Sequence, residues 1–547
     1  MTSAAVKQEI RSLCDQHKWQ QAEPLLQQLL NTGQPDAETW YLLAGLQGAK
    51  GQFAEAEASC RRALELDAAY TEARFRLANA LDAQGRKDEA LAHYEAMLEA
   101  SPEFAHGWNN AGVCLQSMRR YDEAADCFRR AVKLEPAVAD FHVNLALASI
   151  QSGEMEIAYK AIEAAFTREM PPPQQVYAAT LLGMNLLYFG YAAEAEQMYR
   201  RALAPDPAVA ESHVNLGLAL QAQHRLDEAR ACFEQALQLD TRHAAARLAR
   251  ARVLLQQADY GQAWADYESR PLPAQCDPVS GLDAAALKAK TVLLQQEERF
   301  GDTLFFLRFV PLLVREGARV TVQCDPALVS LCRAGLDASV QVISSAQAAP
   351  ECDRRMALGS LAALFSATPA QVDAAGYLQA ETAKSPQITQ AIAEKSAALK
   401  IGFAWSGDSE QAYDLQRSMP LDRFAALFDL PGTAFFSLQP HGAQPAIAQL
   451  LEAYRVQNLA PLLNDFSATA AAISQLDMVV TVDTALAHLA GALGVKGVIC
   501  LPYAPNWCWG LGQERSPWYP SLRLLRQPRP GDWDSVMQQA VKVISAG

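Results

Sequence analysis

Alanine recurs every 34 residues through the first half of this chain, at 22, 56, 90, 124 and 158 and then, after one step of 37, at 195, 229 and 263. A period of that length is the mark of stacked structural units, each too small to bury its own apolar face. The clearest copy reads Trp108, Ala111, Gly112, Leu115, Ala124, Phe128, Ala131 and Pro136. Three- and four-residue steps put the first four on one face of a helix and the next three on one face of a second. Small residues at Gly112 and Ala124 let the two backbones approach. The long step coincides with Met170-Pro171-Pro172-Pro173, where consecutive prolines interrupt a helix and take up three extra residues.

The spacing and residue types resemble the tetratricopeptide repeat over roughly residues 1–275, as seven to eight copies in an α-solenoid. That resemblance implies a concave wall for peptides or partner proteins and, by itself, no chemistry. Asn110, Asn144 and Asn215 share one repeat position, and an amide offers both a donor and an acceptor to an extended backbone. They are the candidate contacts for an acceptor protein, placed as in the ladder of the O-linked N-acetylglucosamine transferases. The alternative is that they satisfy neighbouring turns, and Leu42, Arg76 and Leu181 interrupt the series.

The 547 residues carry 61 acidic against 47 basic side chains, a net charge of −14 that opposes attraction to nucleic acid or anionic lipid. Eleven cysteines without a Cys-x-x-Cys pair give neither a disulfide framework nor a zinc ribbon. Residues 1–28 lack the apolar core of a signal peptide, and no stretch reaches the ~18 apolar residues of a membrane span. A cytoplasmic location is expected.

After Tyr267 the period is lost, and a Pro-containing joint at about 276–287 precedes a different pattern. Strands are expected at 292–294, 319–324, 400–405, 434–438, 478–482 and 498–501, with helices at 302–315, 326–333, 443–454 and 484–493. Strand–helix alternation predicts parallel sheets covered on both sides, one at about 288–380 and one at about 399–547. Ligands of such folds bind at the carboxyl ends of the strands. Polar groups gather there: Gly301-Asp302, Ser406-Gly407-Asp408 with Arg417 following, Gln439, and Asp483-Thr484 with His488 one turn into a helix. A helix start bearing a hydroxyl suits a phosphate.

Asp483-Thr484-x-x-x-His488-x-Ala490-x-Ala492 resembles the donor motif of the heptosyltransferase-like glycosyltransferases of family nine. Gly301-Asp302-Thr303-Leu304 resembles their Gly-Asp turn, and Asp414 to Pro420 their loop after the first strand of the second sheet, with Arg417 where the family has lysine. The match extends to bacterial proteins that fuse tetratricopeptide repeats to such a domain, through Trp507-Cys508-Trp509, Ser516-Pro517-Trp518-Tyr519-Pro520, Arg526-Gln527 and Gly531-Asp532-Trp533. Flagellin-modifying transferases, which attach a nonulosonic sugar such as pseudaminic acid to Ser or Thr, are among these fusions. The chain departs from them at Glu298, Arg299 and Cys508, where Gln, Gly and Arg are usual.

The resemblance implies an α-solenoid followed by a GT-B-like domain of two facing, doubly wound parallel sheets, acting as a metal-independent protein O-glycosyltransferase. The donor is a nucleotide sugar, CMP-linked donors included, and the acceptor a protein such as flagellin. Asp302 and His488 are the candidate catalytic residues; Gly301, Gly407, Arg417, Gln439, Asp483, Thr484 and His488 are the candidate donor-binding set, and no cofactor or metal is called for. Each has a plainer alternative: Asp302 and Asp483 as helix caps, His488 as a core histidine, Arg417 as a solvated charge. Asp532-Trp533-Asp534 matches a metal-binding Asp-x-Asp but immediately precedes the last helix, where capping is the favoured alternative. Two other functions fit the sequence, a binding scaffold with a decayed transferase domain and a transferase acting on a lipid-linked saccharide.

Overall fold

A computed structural model describes residues 3–16, 18–31, 35–297, 299–371, 376–407, 414–440 and 444–546. Glu298, Asp408 and Ala443, all named in the sequence reading, lie outside them. The chain forms two compact units, Met1–Leu186 and Leu187–Gly547.

Sixteen α-helices among the described residues precede the joint and follow the predicted pairing, from Ser3–Asp15 with Trp19–Asn31 to Ala244–Gln256 with Tyr260–Tyr267. All eight periodic alanines fall in the second helix of a pair, and none is more than 3% exposed. The small residue on the first helix is as necessary. A Cβ at Gly112 would sit 2.7 Å from the Phe128 ring, and one at Gly217 would sit 2.4 Å from the Phe233 ring. The extra residues of the long step enter the helix Pro172–Tyr188, whose first turn accepts Pro172 and Pro173 because its amides have no partner within the helix.

From Thr291 onward the chain builds two parallel sheets. The first holds β1 (Thr291–Gln295), β2 (Arg319–Cys324), β3 (Gln341–Ser344) and β4 (Arg354–Ala357) in the order β3-β2-β1-β4. The second holds β5 (Leu399–Ala404), β6 (Thr433–Ser437), β7 (Gln457–Asn458), β8 (Met478–Val482), β9 (Gly497–Leu501) and β10 (Leu522–Arg526) in the order β10-β9-β8-β5-β6-β7. The helix expected over 302–315 is broken into Phe300–Phe306, a 3₁₀ turn Leu307–Phe309, and Val310–Arg315. Pro311 lacks the N–H that would continue the ladder there.

One apolar core joins the last repeat helices to the sheets. Leu254, Leu255, Trp264 and Tyr267 bury with Phe305, Phe306, Trp507 and Trp518, and Trp264 Nε1 donates to Ala367 O at 2.7 Å. The joint is packed as well. Val279 and Leu287 are buried, and Asp277 N donates to Arg355 O at 2.6 Å.

Candidate active site

The carboxyl ends of β5, β6 and β8 and the turn after β1 open into one cavity of about 410 Å³. Its walls include Gly301, Asp302, Gly407, Arg417, Gln439, Asp483, Thr484 and His488, so every transferase residue singled out as a site candidate meets there, together with Arg299, Asn464, Asp465 and Asn506. Asp302 and Arg299 also line two neighbouring cavities. One, of about 250 Å³, is bordered by Leu218, Gln221, Arg252 and Gln256 of the repeat helices; the other, of about 620 Å³, by Gln295, Gln296, Gln323 and Asp325 at the ends of β1 and β2. Asp302 therefore stands where three cavities meet.

The Asp302 carboxylate makes no hydrogen bond among the described residues. The helix Phe300–Phe306 starts from Arg299 without a side-chain cap, which removes the capping alternative. Enclosure by protein raises the Asp302 pKa; Arg299 and Arg252 oppose that rise, and Glu297 and Asp483 add to it. Glu297 is engaged elsewhere, accepting from Arg270 Nε and from Gly359 N. Arg252 and Arg299 form no close ion pair among the described residues, and both act on the Asp302 carboxylate from a distance.

Asp483, just after β8, is buried, and desolvation raises its carboxyl pKa; the Trp509 indole N–H, Arg417 and the Asn506 amide oppose that rise. Thr484 opens the helix Ala485–Ala492, and its Oγ1 is enclosed without a hydrogen-bond partner. Arg417 Nε donates to Asp414 Oδ1 at 3.1 Å, and a Cβ at Gly407 would collide with both side chains. Gln439 shapes the wall: its Oε1 accepts from Trp405 N and Ser406 N, each at 3.2 Å. Asp532 is a cap, accepting from Ser535 N at 3.1 Å, and Asp534 pairs with Arg423.

His488 is 6% exposed, and its Nδ1 shares a hydrogen bond of 3.0 Å with the Tyr519 hydroxyl, whose direction depends on the tautomer. Its Nε2 is on the edge that faces Gly301, where a Cβ would lie 3.5 Å away. Burial, then the charges of Arg308 and Arg417, push its pKa down to about 3. Arg308 is itself buried in an aromatic cage, 4.2 Å from the ring centroids of both Phe305 and Tyr519, and donates to Trp518 O at 2.9 Å. His488 is therefore neutral at pH 7 in the folded protein. Because the unfolded histidine takes up a proton near pH 6.5 and the folded one only near 3, stability falls as pH drops below about 6.5, by about 1.4 kcal/mol per unit from this group. Thermal melts between pH 7 and 5 should show a steeper loss for wild type than for His488→Gln. Parallel curves would mean that His488 titrates like a solvent-exposed histidine.

Cys508 is packed in the core, its thiol pushed well up by burial, then by Asp483 and Asp302, so no thiolate forms beside the site. Arg252, Arg308, Asn506 and Tyr519 are the members that sequence reasoning did not assign to the site. Of these only Tyr519 carried a signal, inside the Ser516–Pro520 motif.

In the first unit, Asn110 and Asn144 belong to a linked amide chain. Asn144 Nδ2 donates to Asn109 Oδ1 (2.8 Å), Asn109 to Asn110 (3.2 Å) and Asn110 to Asn79 Oδ1 (2.9 Å), which also accepts from Tyr94. Part of the hydrogen-bonding capacity read as free is used within the ladder, and Asn79 and Asn109 were not anticipated in it. Asn215, in the second unit, makes no side-chain hydrogen bond among the described residues.

Comparison with known proteins agrees with this architecture. Tetratricopeptide repeat profiles match residues 8–71, 49–109, 105–137 and 210–243, and the profile of glycosyltransferase family 9 (heptosyltransferase) matches 421–504. The latter segment holds Gln439, Asp483, Thr484 and His488. The Protein FlbA of Caulobacter vibrioides is 24% identical over 516 residues, covering 89% of this chain and 86% of that protein. A barley (Hordeum vulgare) protein described as a probable UDP-N-acetylglucosamine–peptide N-acetylglucosaminyltransferase SPINDLY is 27% identical over 168 residues, 30% of this chain and 18% of that one. Among solved structures, the APC/C hetero-tetramer Cut9–Hcn1 aligns with a TM-score of 0.36 and 14% identity over 45% of this chain and 48% of its own. The chain joins tetratricopeptide repeats to a glycosyltransferase domain, and none of its described helices is long and apolar enough to cross a membrane.

Proposed function

We propose that this glycosyltransferase is a GT-B-type protein O-glycosyltransferase, acting in the cytoplasm, that moves a nonulosonic sugar such as pseudaminic acid from a nucleotide to Ser or Thr of an acceptor protein. The carrying observation is the position of Asp302, at the meeting point of the cavity below the second sheet and the cavity bordered by repeat helices. The acceptor oxygen attacks the anomeric carbon, the bond from that carbon to the phosphate oxygen breaks, and Asp302 takes the hydroxyl proton. The departing phosphate is met by Arg417, the Thr484 hydroxyl and the free amides of the helix Ala485–Ala492, fixed charges and dipoles where other transferases use a metal. With Tyr519 donating to Nδ1, His488 Nε2–H would donate to the sugar or its phosphate. Arg252 and Arg299 beside Asp302 suit a carboxylate on the transferred sugar, which supports an acidic donor over a neutral one. The amide ladder of Asn79, Asn109, Asn110 and Asn144 would hold an extended segment of the acceptor, Asn215 is a separate candidate contact in the second unit, and flagellin is the first acceptor to try.

Arg417→Ala should weaken binding of a CMP-linked nonulosonic acid by ~10- to 100-fold, the scale of a lost charge-assisted hydrogen bond. Melting should change little. Titration calorimetry checks this, and equal affinities for the two proteins would remove Arg417 from the donor site. A neutral donor, UDP-N-acetylglucosamine, binding as tightly as the acidic one would count against the role given to Arg252 and Arg299.

A further inference from the structure

Arg417 lies on a single four-residue turn of helix, Asp414–Arg417, too short to be stable by itself. Leu415 within it is 62% exposed, so apolar burial does little to hold it. Two polar attachments fix it instead. On one side, Asp414 accepts from Arg417 Nε and, at 2.8 Å, from Ser418 Oγ, which accepts in turn from Gly407 N at 3.0 Å. On the other, Gln416 Nε2 donates to Leu187 O at 2.9 Å and to Tyr188 O at 2.8 Å. These are the last two carbonyls of the helix Pro172–Tyr188 and form its negative end, Leu187 O also accepting from Gly190 N at 3.1 Å.

A similar tie holds a second loop at the cavity. His224 Nε2 donates to Tyr503 O at 2.7 Å, and its ring stacks on Tyr503 with centroids 4.3 Å apart. Gln256 Nε2 reaches Pro505 O at 3.4 Å, immediately before Asn506, whose amide faces Asp483. Two loops at the cavity are thus anchored on helical residues of the second unit.

We infer that Gln416 is a positioning residue for the donor: by clamping the end of the helix Pro172–Tyr188 it sets where the Arg417 guanidinium stands in the cavity. This rests on the reading of Arg417 as the donor phosphate contact. The role needs a side chain that donates to two adjacent carbonyls. Alanine removes it, and lysine, an ammonium with three donors, restores it.

Hydrogen exchange on the full chain gives the first readout and needs no substrate. In Gln416→Ala the amides of residues 414–418 should exchange at least ~10-fold faster, with β8 unchanged, and Gln416→Lys should return them to within ~3-fold of wild type. Steady-state transfer from a CMP-linked nonulosonic acid gives the second. Gln416→Ala should raise the donor KM about 10-fold with kcat within 2-fold, the order expected for one or two lost hydrogen bonds. In an Arg417→Ala background the same change should add nothing. Unaltered exchange, or full additivity in the double variant, overturns the inference. If Arg417→Ala raises KM and Gln416→Ala does not, this inference alone falls. If neither does, the donor-site reading falls and takes the role of Gln416 with it.

Discussion

Asp302→Asn should lower sugar transfer by ~10²- to 10⁴-fold, the contribution of an aligned general base, while the protein melts at or above the wild-type temperature at pH 7. The stability half follows from linkage. A carboxyl whose folded pKa is raised binds its proton more readily in the folded state, so its contribution favours folding at low pH and is lost as pH rises through that pKa. At neutral pH the enclosed carboxylate is a cost, and a neutral amide of the same shape removes it. The wild-type rate should fall on the acid side at a pH above the usual carboxylate value of ~4, and the small residual rate of the variant should lack that limb. A variant that transfers at near the wild-type rate would return Asp302 to a structural role.

The second large effect concerns where the transferase ends. Trp264 is 2% exposed and Tyr267 8%, and with Leu254 and Leu255 they share one core with Phe306, Trp507 and Trp518. Losing a buried Phe or Trp costs about 3 to 5 kcal/mol and a buried Leu about 2 to 5, so removing two aromatics with two leucines is on the scale of the ~5 to 15 kcal/mol that holds a typical domain. A fragment of residues 276–547 should therefore fail to fold cooperatively, whereas 187–547, which keeps this core, should melt in one transition and bind the donor. Near-ultraviolet circular dichroism and calorimetry of the two fragments decide this. A native spectrum and a cooperative melt from 276–547 would show that the repeat helices are dispensable to the transferase fold.

Why part of this was legible in the sequence, and part not, has a physical pattern. The eight alanines announce the helix pairs because only a small residue fits where two helices touch, and that requirement repeats at every layer. The strands expected from apolar runs, β1, β2, β5, β6, β8 and β9, all have a hydrogen-bonded neighbour on each side. The four not anticipated, β3, β4, β7 and β10, are the four sheet edges. Edges are short or carry charge: β4 opens with Arg354-Arg355, β7 has only two residues, and β10 carries Arg523 and Arg526 among its five residues. That composition blunts pairing with other chains and hides the strand from a search for buried runs. The site divides similarly. Asp302, Arg417, Asp483, Thr484 and His488 were legible because strand ends in parallel sheets converge. Arg252 was not, because it sits on a repeat helix, and only tertiary packing brings it to Asp302. Asn79 and Asn109 were missed because their place in the amide chain depends on how adjacent helix pairs stack.

The central claim is transfer to a protein hydroxyl at Asp302, and intact-mass spectrometry tests it most directly. Purified full-length protein is incubated with flagellin and a CMP-linked nonulosonic acid, beside the Asp302→Asn variant. The account predicts that wild type raises the flagellin mass by whole multiples of one sugar residue, lost on mild base elimination from Ser or Thr, and that the variant binds flagellin but leaves its mass almost unchanged. Flagellin that binds the wild-type protein yet keeps its mass, with this donor and with UDP-N-acetylglucosamine, would contradict it.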